Sequence, residues 1–290
     1  MPTSASVTSV TVSVVVPVLD DAIRLAACLD ALHVQVGAPP FEVVVADNGS
    51  QDSSASVARA HPLSPVVVVE PRRGSYAARN AGVAAAAAPQ LAFTDADCVP
   101  APDWVARGVA ALAGHGIVGG DVRPVRSAEP TVWERYDRAL YLRQRDLVEH
   151  QGFAATANLW VRREVFDAVG GFDPDLRSSG DLEWGRRAAA AGHRTRYDER
   201  VVVAHQPRTT AAGTWKLHKR LGAGWAVLAD RHPEVRAGLW LPLGAVVDAL
   251  AVDGEPLRRR QVAHVHALAM AARRTGWLRQ RTSRRARTEP

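Results

Sequence analysis

The stretch LAFTDAD, residues 91–97, places two carboxylates directly after a short apolar run. A run of this length bounded by polar residues is typical of a strand buried within a sheet. Two carboxylates one residue apart at a strand end can share a divalent cation with a diphosphate, because hard oxygen ligands suit Mg²⁺ and Mn²⁺. An Asp-X-Asp pair alone is also compatible with a surface turn, and its position after the strand is what strengthens the metal hypothesis.

The same order of apolar run and acidic turn occurs twice earlier in the chain. The β-branched run at residues 12–16 precedes Asp20 and Asp21, and the run at 41–46 precedes the turn DNGS at 47–50. Helical segments are predicted between these runs and after a third short strand at 66–69, with the helices at residues 21–34, 52–60 and 75–88.

This alternation of strand and helix predicts the fold class. Parallel strands need such helical crossovers, so the first hundred residues predict an open, mostly parallel α/β sheet with helices on both faces. Ligands of such sheets bind beyond the carboxyl ends of the strands. We therefore expect the three acidic groups to converge on one rim of the sheet.

The rest of the chain continues the pattern more loosely. We predict a strand at 116–124, a charged helix at 131–149, a short strand at 156–160, a helix from 162, a helix stop at GGFD 170–173, a helix at 181–191, a strand at 195–204 and mostly helix from 214 onward.

Composition limits the partners that the chain can have. The 290 residues carry a net charge of +6 and give an isoelectric point of about 10. A basic protein favours nucleic acid, an anionic membrane face or phosphorylated small molecules. We expect no nucleic-acid partner, because no nucleic-acid module is recognisable and the basic residues lack interleaved aromatic ones. A dehydrogenase is disfavoured because no GxGxxG follows a predicted strand.

Cysteine usage and the N-terminus indicate a compartment. The chain has two cysteines, Cys28 and Cys98, and neither lies in a CxxC or CxxH spacing. Neither a zinc site nor a disulfide framework is supported, which fits a reducing compartment. Residues 1–11 lack the features of a secretory signal, and no stretch reaches the ~20 apolar residues of a spanning helix. These features predict a cytoplasmic location.

The C-terminal region is basic and contains several tryptophans. The stretch from Trp215 to Trp240 fits an interfacial helix, and the alternative is ordinary packing onto the preceding domain. The tail from Arg273 to Arg287 carries many arginines and no acid, which favours a solvated or disordered end over a contact with an anionic bilayer. Peripheral contact with the inner face of the cell membrane is the alternative expectation.

Six ordered stretches resemble the pattern of glycosyltransferase family 2, whose members have a GT-A fold. They are SVVVPVLDD at 13–21, EVVVADNGSQD at 42–52, GSYAARNAG at 74–82, FTDADC at 93–98, EVFDAVGGFD at 164–173 and the helix at 179–191. Their order and spacing also agree, across roughly residues 12–205.

The resemblance implies an inverting transferase that uses a divalent metal, Mn²⁺ or Mg²⁺. It would move a sugar from a UDP-, GDP- or dTDP-linked donor to a lipid, polysaccharide, protein or small-metabolite acceptor. The implied residues for the nucleotide sugar are Pro17, Val18 and Asp20 around the nucleoside, Asp47 at the base edge, Arg79 near the base or phosphates, Asp95 at the ribose or metal, and Asn158 near the donor sugar. Three of these residues also have a purely structural interpretation: Asp47 as a turn former, Arg79 as a helix surface residue and Asn158 as a strand-end turn.

The resemblance further implies that Asp97 ligates the metal. His205 follows a predicted strand where family members often carry a histidine that is sometimes a metal ligand. A lone histidine is usually a packed or exposed residue, so the two interpretations of His205 are evenly balanced.

Asp181 is the predicted general base. Inverting transfer is a single in-line displacement that needs a carboxylate to accept the proton of the acceptor hydroxyl. The family usually shows Glu-Asp here, whereas this chain has Gly180-Asp181, and an alignment shift of two residues would make Glu183 the base. Asp181 could instead cap the helix. Trp184 lies on nearly the same helical face and could stack on a sugar ring or pack in the core.

These observations predict four segments: a flexible N-terminus at 1–11, a GT-A domain at 12–207, a helical extension at 208–272 and a basic, disordered tail at 273–290. The rival functions are an inactive or binding-only GT-A domain and a nucleotidyltransferase. Intact Asp97 and Asp181 argue against the first rival. The acidic, Gly-free loop after the first strand argues against the second.

Overall fold

The computed structural model describes residues 10–231 and 259–288. In these residues the strands are β1 Val12–Val18, β2 Phe41–Asp47, β3 Val66–Val69, β4 Gln90–Thr94, β5 Cys98–Pro100, β6 Ile117–Pro124, β7 Asn158–Arg162 and β8 Thr195–His205. The helices are α1 Ala22–His33, α2 Ser54–Ala60, α3 Ser75–Ala85, α4 Trp104–Leu112, α5 Val132–Leu140, α6 Gln144–Gln151, α7 Arg163–Val169, α8 Gly180–Ala190, α9 Ala211–Arg231 and α10 Arg259–Thr288.

The strands form one curled, mixed sheet in the order β3-β2-β1-β4-β7-β6-β8-β5. The first four strands in this order pair in parallel, which confirms the predicted α/β sheet in the first hundred residues. Beyond β4 the sheet is mixed, because β7 runs antiparallel to both β4 and β6, and β5 runs antiparallel to β8. The sequence did not predict β5.

Strand β1 shows why its sequence is apolar without alternation. Val14 and Val16 pack into a core cluster that includes Leu25 of α1, whereas Val15 packs into the cluster on the other face with Phe93. Both faces of the strand are covered, so both sets of alternating side chains are buried. Its polar side chain, Ser13, is also buried and donates to Oε1 of Glu42 at 2.6 Å, and the acidic residues follow beyond its carboxyl end.

Two predicted boundaries are wrong. Strand β1 does not stop before Pro17 but continues to Val18, because its pairing with β4 ends at Val15 and proline is tolerated where one side of a strand is unpaired. The single charged helix expected at 131–149 is two helices, α5 and α6. The chain breaks between them at Leu142, whose φ of 54° is left-handed and cannot continue a right-handed helix.

Helices α9 and α10 pack against each other in antiparallel directions. A Cβ atom at Gly222 would lie 2.0 Å from the carbonyl oxygen of Arg273, and one at Gly276 would lie 1.9 Å from that of Lys219. The two backbones therefore touch, and only glycine fits at both positions.

The disordered tail predicted from residue 273 is wrong, since α10 continues through Thr288. Arg273 is buried, and its Nε donates to Nδ1 of His218 at 3.0 Å. The apolar stripe Val262, Val265 and Ala269 packs the first half of the helix against α5, and the basic residues that follow continue the same helix.

The predictions for residues 1–9 and for the part of the Trp215–Trp240 stretch beyond 231 lie outside the described residues. Within 10–231 and 259–288, every helix is too short or too polar to cross a membrane.

Asn158 is a hydrogen-bonding hub of the second half of the sheet. Its side chain has no exposed surface, and its Oδ1 accepts from the indole Nε1 of Trp104 at 3.0 Å and of Trp160 at 3.2 Å. Its Nδ2 donates to the carbonyl oxygens of Asp121 at 2.8 Å and Val201 at 2.9 Å. All four hydrogen-bonding positions of the amide are used. The predicted contact of Asn158 with a donor sugar is therefore wrong.

We expect Asn158→Leu to lower the free energy of unfolding by about 3–5 kcal/mol, because it leaves two indole N–H groups and two carbonyl groups buried without partners. Urea unfolding followed by tryptophan fluorescence measures this loss. The control is Gln151→Leu at an exposed position of α6, which should change stability by less than about 0.5 kcal/mol. Equal effects of the two substitutions would contradict the hub.

Candidate functional site

The loops that follow β1 and β2 are joined by hydrogen bonds. The Asp20 N–H donates to Oγ of Ser50 at 3.0 Å, and Oδ1 of Asp20 accepts from the N–H of Gln51 at 2.6 Å. The Asp21 N–H donates to Oγ of Ser54 at 3.0 Å. Asp20 is exposed and has a φ of 51°, a left-handed conformation that aspartate tolerates better than most residues. The acidic turns therefore share one rim, as predicted from the parallel strands.

The side chains of Asp47 and Asn48 hold the loops of this rim in place through hydrogen bonds. Asp47 is buried, and its carboxylate accepts from the N–H of Ser50 at 2.9 Å. The Asn48 side chain donates to the carbonyl oxygen of Arg72 at 2.8 Å and accepts from the N–H of Gly74 at 2.7 Å. Asn48 thus fixes the loop that leads into α3. The sequence indicated only a turn here, so this contact was missed.

The side chains of Pro17 and Val18 are buried in β1. Val18 belongs to the core on the α1 face of the sheet. The structure therefore does not bring either side chain to the surface of the rim. A nucleoside bound there would meet only the backbone of these two residues.

Helix α3 connects the predicted donor side to the predicted base. Arg79 is 3% exposed, and its Nη2 pairs with Oδ1 of Asp95. Its guanidinium carbon lies 5.5 Å from the ring centroid of Tyr76, whose hydroxyl donates to Oδ1 of Asp181 at 3.2 Å. One turn of a single helix thus contacts both carboxylates. Tyr76 was not predicted, although it stands three residues before Arg79 in the GSYAARNAG stretch.

Asp181 lies in the first turn of α8 rather than at its cap. The helix begins at Gly180, and Oδ1 of Asp181 accepts from the N–H of Leu182 at 3.0 Å. Burial raises the pKa of Asp181 above its usual value, and this effect exceeds the opposing effects of the Leu182 N–H, the Arg79 charge and the Tyr76 hydroxyl. A carboxylate with a raised pKa is a better proton acceptor at neutral pH.

Glu183 is not available as the alternative base. Its carboxylate is buried, and both oxygens accept from Arg187 at 2.7 and 2.9 Å. Arg187 also donates to the carbonyl oxygen of Val169 at 2.7 Å, so the ion pair fastens α8 to the end of α7. The placement of Glu183 on the acceptor side is therefore wrong.

Trp184 is a core residue. It is 1% exposed, its Nε1 donates to the carbonyl oxygen of Gly170 at 2.8 Å, and its ring lies 5.7 Å from those of Phe166 and Phe172. The large ring is accommodated by these two phenylalanines, which leaves no face for a sugar. Stacking on a sugar ring is thus ruled out in this arrangement, and the core interpretation of Trp184 is confirmed.

The glycine at position 180 is explained by Tyr76. A Cβ atom at Gly180 would lie 2.7 Å from the Tyr76 ring, closer than such atoms approach. Tyr76 is 5% exposed, and its ring also packs against Phe172, whose centroid is 5.7 Å away. A larger residue at 180 therefore has no room while Tyr76 donates to Asp181.

Asp97 and His205 meet at the end of the β5–β8 pair. Cys98 lies opposite His205 in the antiparallel register, which places Oδ2 of Asp97 3.6 Å from Nε2 of His205. Burial disfavours the charged form of Asp97, yet the contact with His205 and the charges of Arg208 and Arg24 lower its pKa to about 2. A carboxylate and an imidazole that face each other in this way fit the ligand chemistry of a divalent cation.

A cation at Asp97 and His205 would take its remaining ligands from elsewhere. Within residues 10–231 and 259–288, no three His, Cys, Asp or Glu side chains converge on one point. Proteins commonly hold Mg²⁺ through one or two carboxylates together with phosphates of the substrate. The pair therefore fits a cation that binds together with a diphosphate.

Two arginines near Asp97 were not predicted. Arg24 of α1 pairs with Asp21 at 2.8 Å, and Arg208 lies 4.4 Å from the ring of Tyr141. Both charges stabilise the Asp97 carboxylate, as its pKa indicates. They are suited to a diphosphate because guanidinium groups donate to its oxygens in pairs. No motif in the sequence marked either residue.

The comparisons with known proteins agree on a family. The model of glycosyl transferase family 2 matches residues 13–170. The chain is 36% identical to the glycosyltransferase AglE of Haloferax volcanii over 68% of this chain and 67% of that protein. It is 30% identical to the pre-mycofactocin glycosyltransferase of Mycobacterium tuberculosis over 81% of this chain, and it spans about half (51%) of that relative.

Solved structures share the fold. The mannosyltransferase PcManGT from Pyrobaculum calidifontis, in complex with GDP-Man and Mn²⁺, matches with a TM-score of 0.62 and 21% identity over 94% of this chain and 87% of that one. TarS 1–349 of S. aureus in complex with UDP matches with a TM-score of 0.55 and 16% identity over 94% and 92%. Both likenesses concern the fold, which is of the GT-A type.

We expect Gly180→Ala to destabilise the protein by about 1–3 kcal/mol, because the methyl group would press on a buried ring that cannot move away. Alanine in a helix otherwise stabilises relative to glycine, so a loss would have the opposite sign to the helix propensity. Urea unfolding measures the change. Gly114→Ala, in the turn after α4, is the control for an added methyl group, since a Cβ atom there has nothing within 4 Å. A stabilised Gly180→Ala protein would contradict the packing of Tyr76.

Proposed function

Because this chain belongs to glycosyltransferase family 2, we propose that it transfers a sugar with inversion of configuration at the anomeric carbon. Asp181 is the general base, and a divalent cation binds at Asp97 and His205. The donor is a nucleotide-diphosphate sugar and the acceptor carries a hydroxyl group. The observation that carries this proposal is the connection through α3, in which Arg79 pairs with Asp95 and Tyr76 donates to Asp181. Because Tyr76 and Arg79 lie one turn apart on the same face of α3, this connection supports a donor and an acceptor that meet at that face.

The proposed chemistry is one displacement. The acceptor oxygen forms a bond to the anomeric carbon, the bond from that carbon to the diphosphate oxygen breaks, and the acceptor proton moves to Asp181. Tyr76 donates to Oδ1 and so holds the carboxylate in one orientation. The raised pKa of Asp181 supports its role as the proton acceptor.

The donor would lie along the rim formed by the loops after β1, β2 and β4. We assign the nucleoside to the region of Asp20, Asp47 and Arg79, and the diphosphate to Arg24 and Arg208. A bound Mn²⁺ or Mg²⁺ would neutralise the charge of the leaving diphosphate. The GDP-Man, Mn²⁺ and UDP bound by the two structural neighbours support this donor class, with UDP, GDP and dTDP as the nucleotides to test.

The acceptor and the location are proposed more broadly. A lipid, a polysaccharide, a protein and a small metabolite all offer a suitable hydroxyl group. We propose a cytoplasmic protein, with peripheral contact at the inner face of the cell membrane through its basic C-terminal region. The charge of +6 and the two free, buried cysteines support this location.

We expect one of the UDP-, GDP- and dTDP-sugars to bind in the presence of Mn²⁺, and Asp97→Ala to weaken that binding at least tenfold. The reason is that a carboxylate lost from the cation site removes the bridge to the diphosphate. Isothermal titration with and without Mn²⁺ measures both effects. Asp103→Ala, which removes an exposed surface carboxylate of a different ion pair, should bind as the wild type does. Binding of no donor under either condition would overturn the proposed function.

We expect Asp181→Asn to lower turnover about 10²–10⁴-fold while the donor still binds, because only the proton acceptor is lost.

We expect Tyr76→Phe to move the acidic limb of the pH–rate profile to higher pH. The base must be ionised, and losing a hydrogen bond to its charged form raises its pKa further. Slow hydrolysis of the donor, followed as kcat/KM against pH, measures this shift without a known acceptor.

Glu183→Gln is the control for this pair of substitutions. It should keep the acidic limb in place, because Glu183 pairs with Arg187 and not with the acceptor. Loss of turnover in Glu183→Gln together with normal turnover in Asp181→Asn would assign the base to Glu183. Donor binding without any turnover in the wild type would favour the binding-only alternative.

A further inference from the structure

A groove of about 530 Å³ lies between α9 and α10. Four cationic side chains line it, three from α9 and one from α10: Lys216, Lys219, Arg220 and Arg279. The remaining lining residues are Trp215, Ala223, Gly276 and Gln280. The groove is large enough for a small ligand and has both apolar and positively charged walls.

The groove contains both lysines of the chain. Lysine and arginine together number 36, and only two of them are lysines, Lys216 and Lys219. No carboxylate lines the groove, and among the described residues none of its four cations forms a salt bridge. Within the part of the chain that the structure describes, no carboxylate neutralises the positive charge of this groove, which favours an anionic ligand.

The groove adjoins the candidate base. A Cβ atom at Gly224 would lie 2.6 Å from the carbonyl oxygen of Ser178, so α9 touches the segment that leads into Asp181. Burial raises the pKa of Tyr76, and the charge of Arg220 is among the effects that oppose this rise. The charge of Arg220 therefore acts on the tyrosine that donates to Asp181. Ala223, which lines the groove, is the neighbour of Gly224, so the groove adjoins the segment that leads into the candidate base.

We propose that this groove binds the acceptor through a phosphate group carried on an apolar segment. The proposal rests on the proposed function, since it assigns the acceptor class of that same site. Lysine and arginine are the residues that bind phosphate, and arginine donates to two of its oxygens at once. Trp215, which is 37% exposed, and Ala223 give the apolar segment a surface to pack against.

The two lysines allow a direct test of occupancy. An amine-reactive acylating reagent can modify only Lys216, Lys219 and the terminal amine of the chain, so the terminal amine serves as an internal control. Mass spectrometry would follow modification in the presence of hexyl phosphate, hexanol or inorganic phosphate. We expect hexyl phosphate to slow acylation of both lysines at least threefold without protecting the terminal amine. Inorganic phosphate should protect less, and hexanol should not protect.

Substitution separates this proposal from the proposed function. We expect Lys216→Gln/Lys219→Gln to bind hexyl phosphate at least tenfold more weakly in calorimetry while its Mn²⁺-dependent donor binding is unchanged. The matched control is Arg59→Gln/Arg274→Gln, which removes two exposed charges away from the groove and should bind hexyl phosphate normally.

Three results would overturn the proposal while leaving the proposed function intact. The first is normal donor binding with no protection of the lysines by hexyl phosphate. The second is equal protection by inorganic phosphate, which would remove the apolar segment from the proposal. The third is protection only by phosphatidylglycerol vesicles and not by hexyl phosphate, which would assign the groove to a membrane surface. Loss of donor binding in the wild type would instead overturn the proposed function itself.

Discussion

The buried guanidinium of Arg79 is the constraint on which the arrangement of the site depends. A charge that is 3% exposed is costly unless a partner neutralises it, and Asp95 supplies that partner at the end of β4. This pairing fixes the position of α3 relative to the strand end. It also fixes Tyr76 one turn earlier, and with it the orientation of Asp181. The donor side and the base side are thus placed by one buried ion pair.

The ion pair of Arg79 and Asp95 also influences the pKa of Asp181. Burial raises the pKa of Asp181, and the charge of Arg79 opposes that rise. Asp95 neutralises part of the Arg79 charge, so Arg79 acts on Asp181 less strongly than an isolated cation would. A nucleotide phosphate or a metal near Asp95 would alter this balance and so would change the basicity of Asp181. The coupling offers a physical route by which an occupied donor side could tune the base.

The sequence predicted those features that depend on neighbours along the chain. The parallel strands could be predicted because an apolar run buried on both faces needs no distant partner, and the shared rim of Asp20, Asp47 and Asp95 follows from parallel strands. The wrong predictions concern side chains whose partners, near or far in sequence, are settled only when the chain has folded. Asn158 is occupied because Trp104 and Trp160 both reach it, and Glu183 is occupied by Arg187. The i, i+4 spacing of Glu183 and Arg187 is visible in the sequence and allows this ion pair. The contact between Trp104 and Asn158 spans 54 residues and follows from no local spacing.

This chain departs from the family pattern at Gly180, where the family usually has a glutamate. The sequence showed a missing glutamate beside the predicted base but gave no reason for it. The structure supplies one, because the Tyr76 ring occupies the space of any side chain at that position. The hydroxyl of Tyr76 then stands where it can donate to the carboxylate of Asp181. A second carboxylate beside the base would have raised its pKa by repulsion, whereas a hydroxyl donor lowers it. This chain therefore relies on burial to raise the pKa of its candidate base, and Tyr76 of α3 is one of the side chains that cover it.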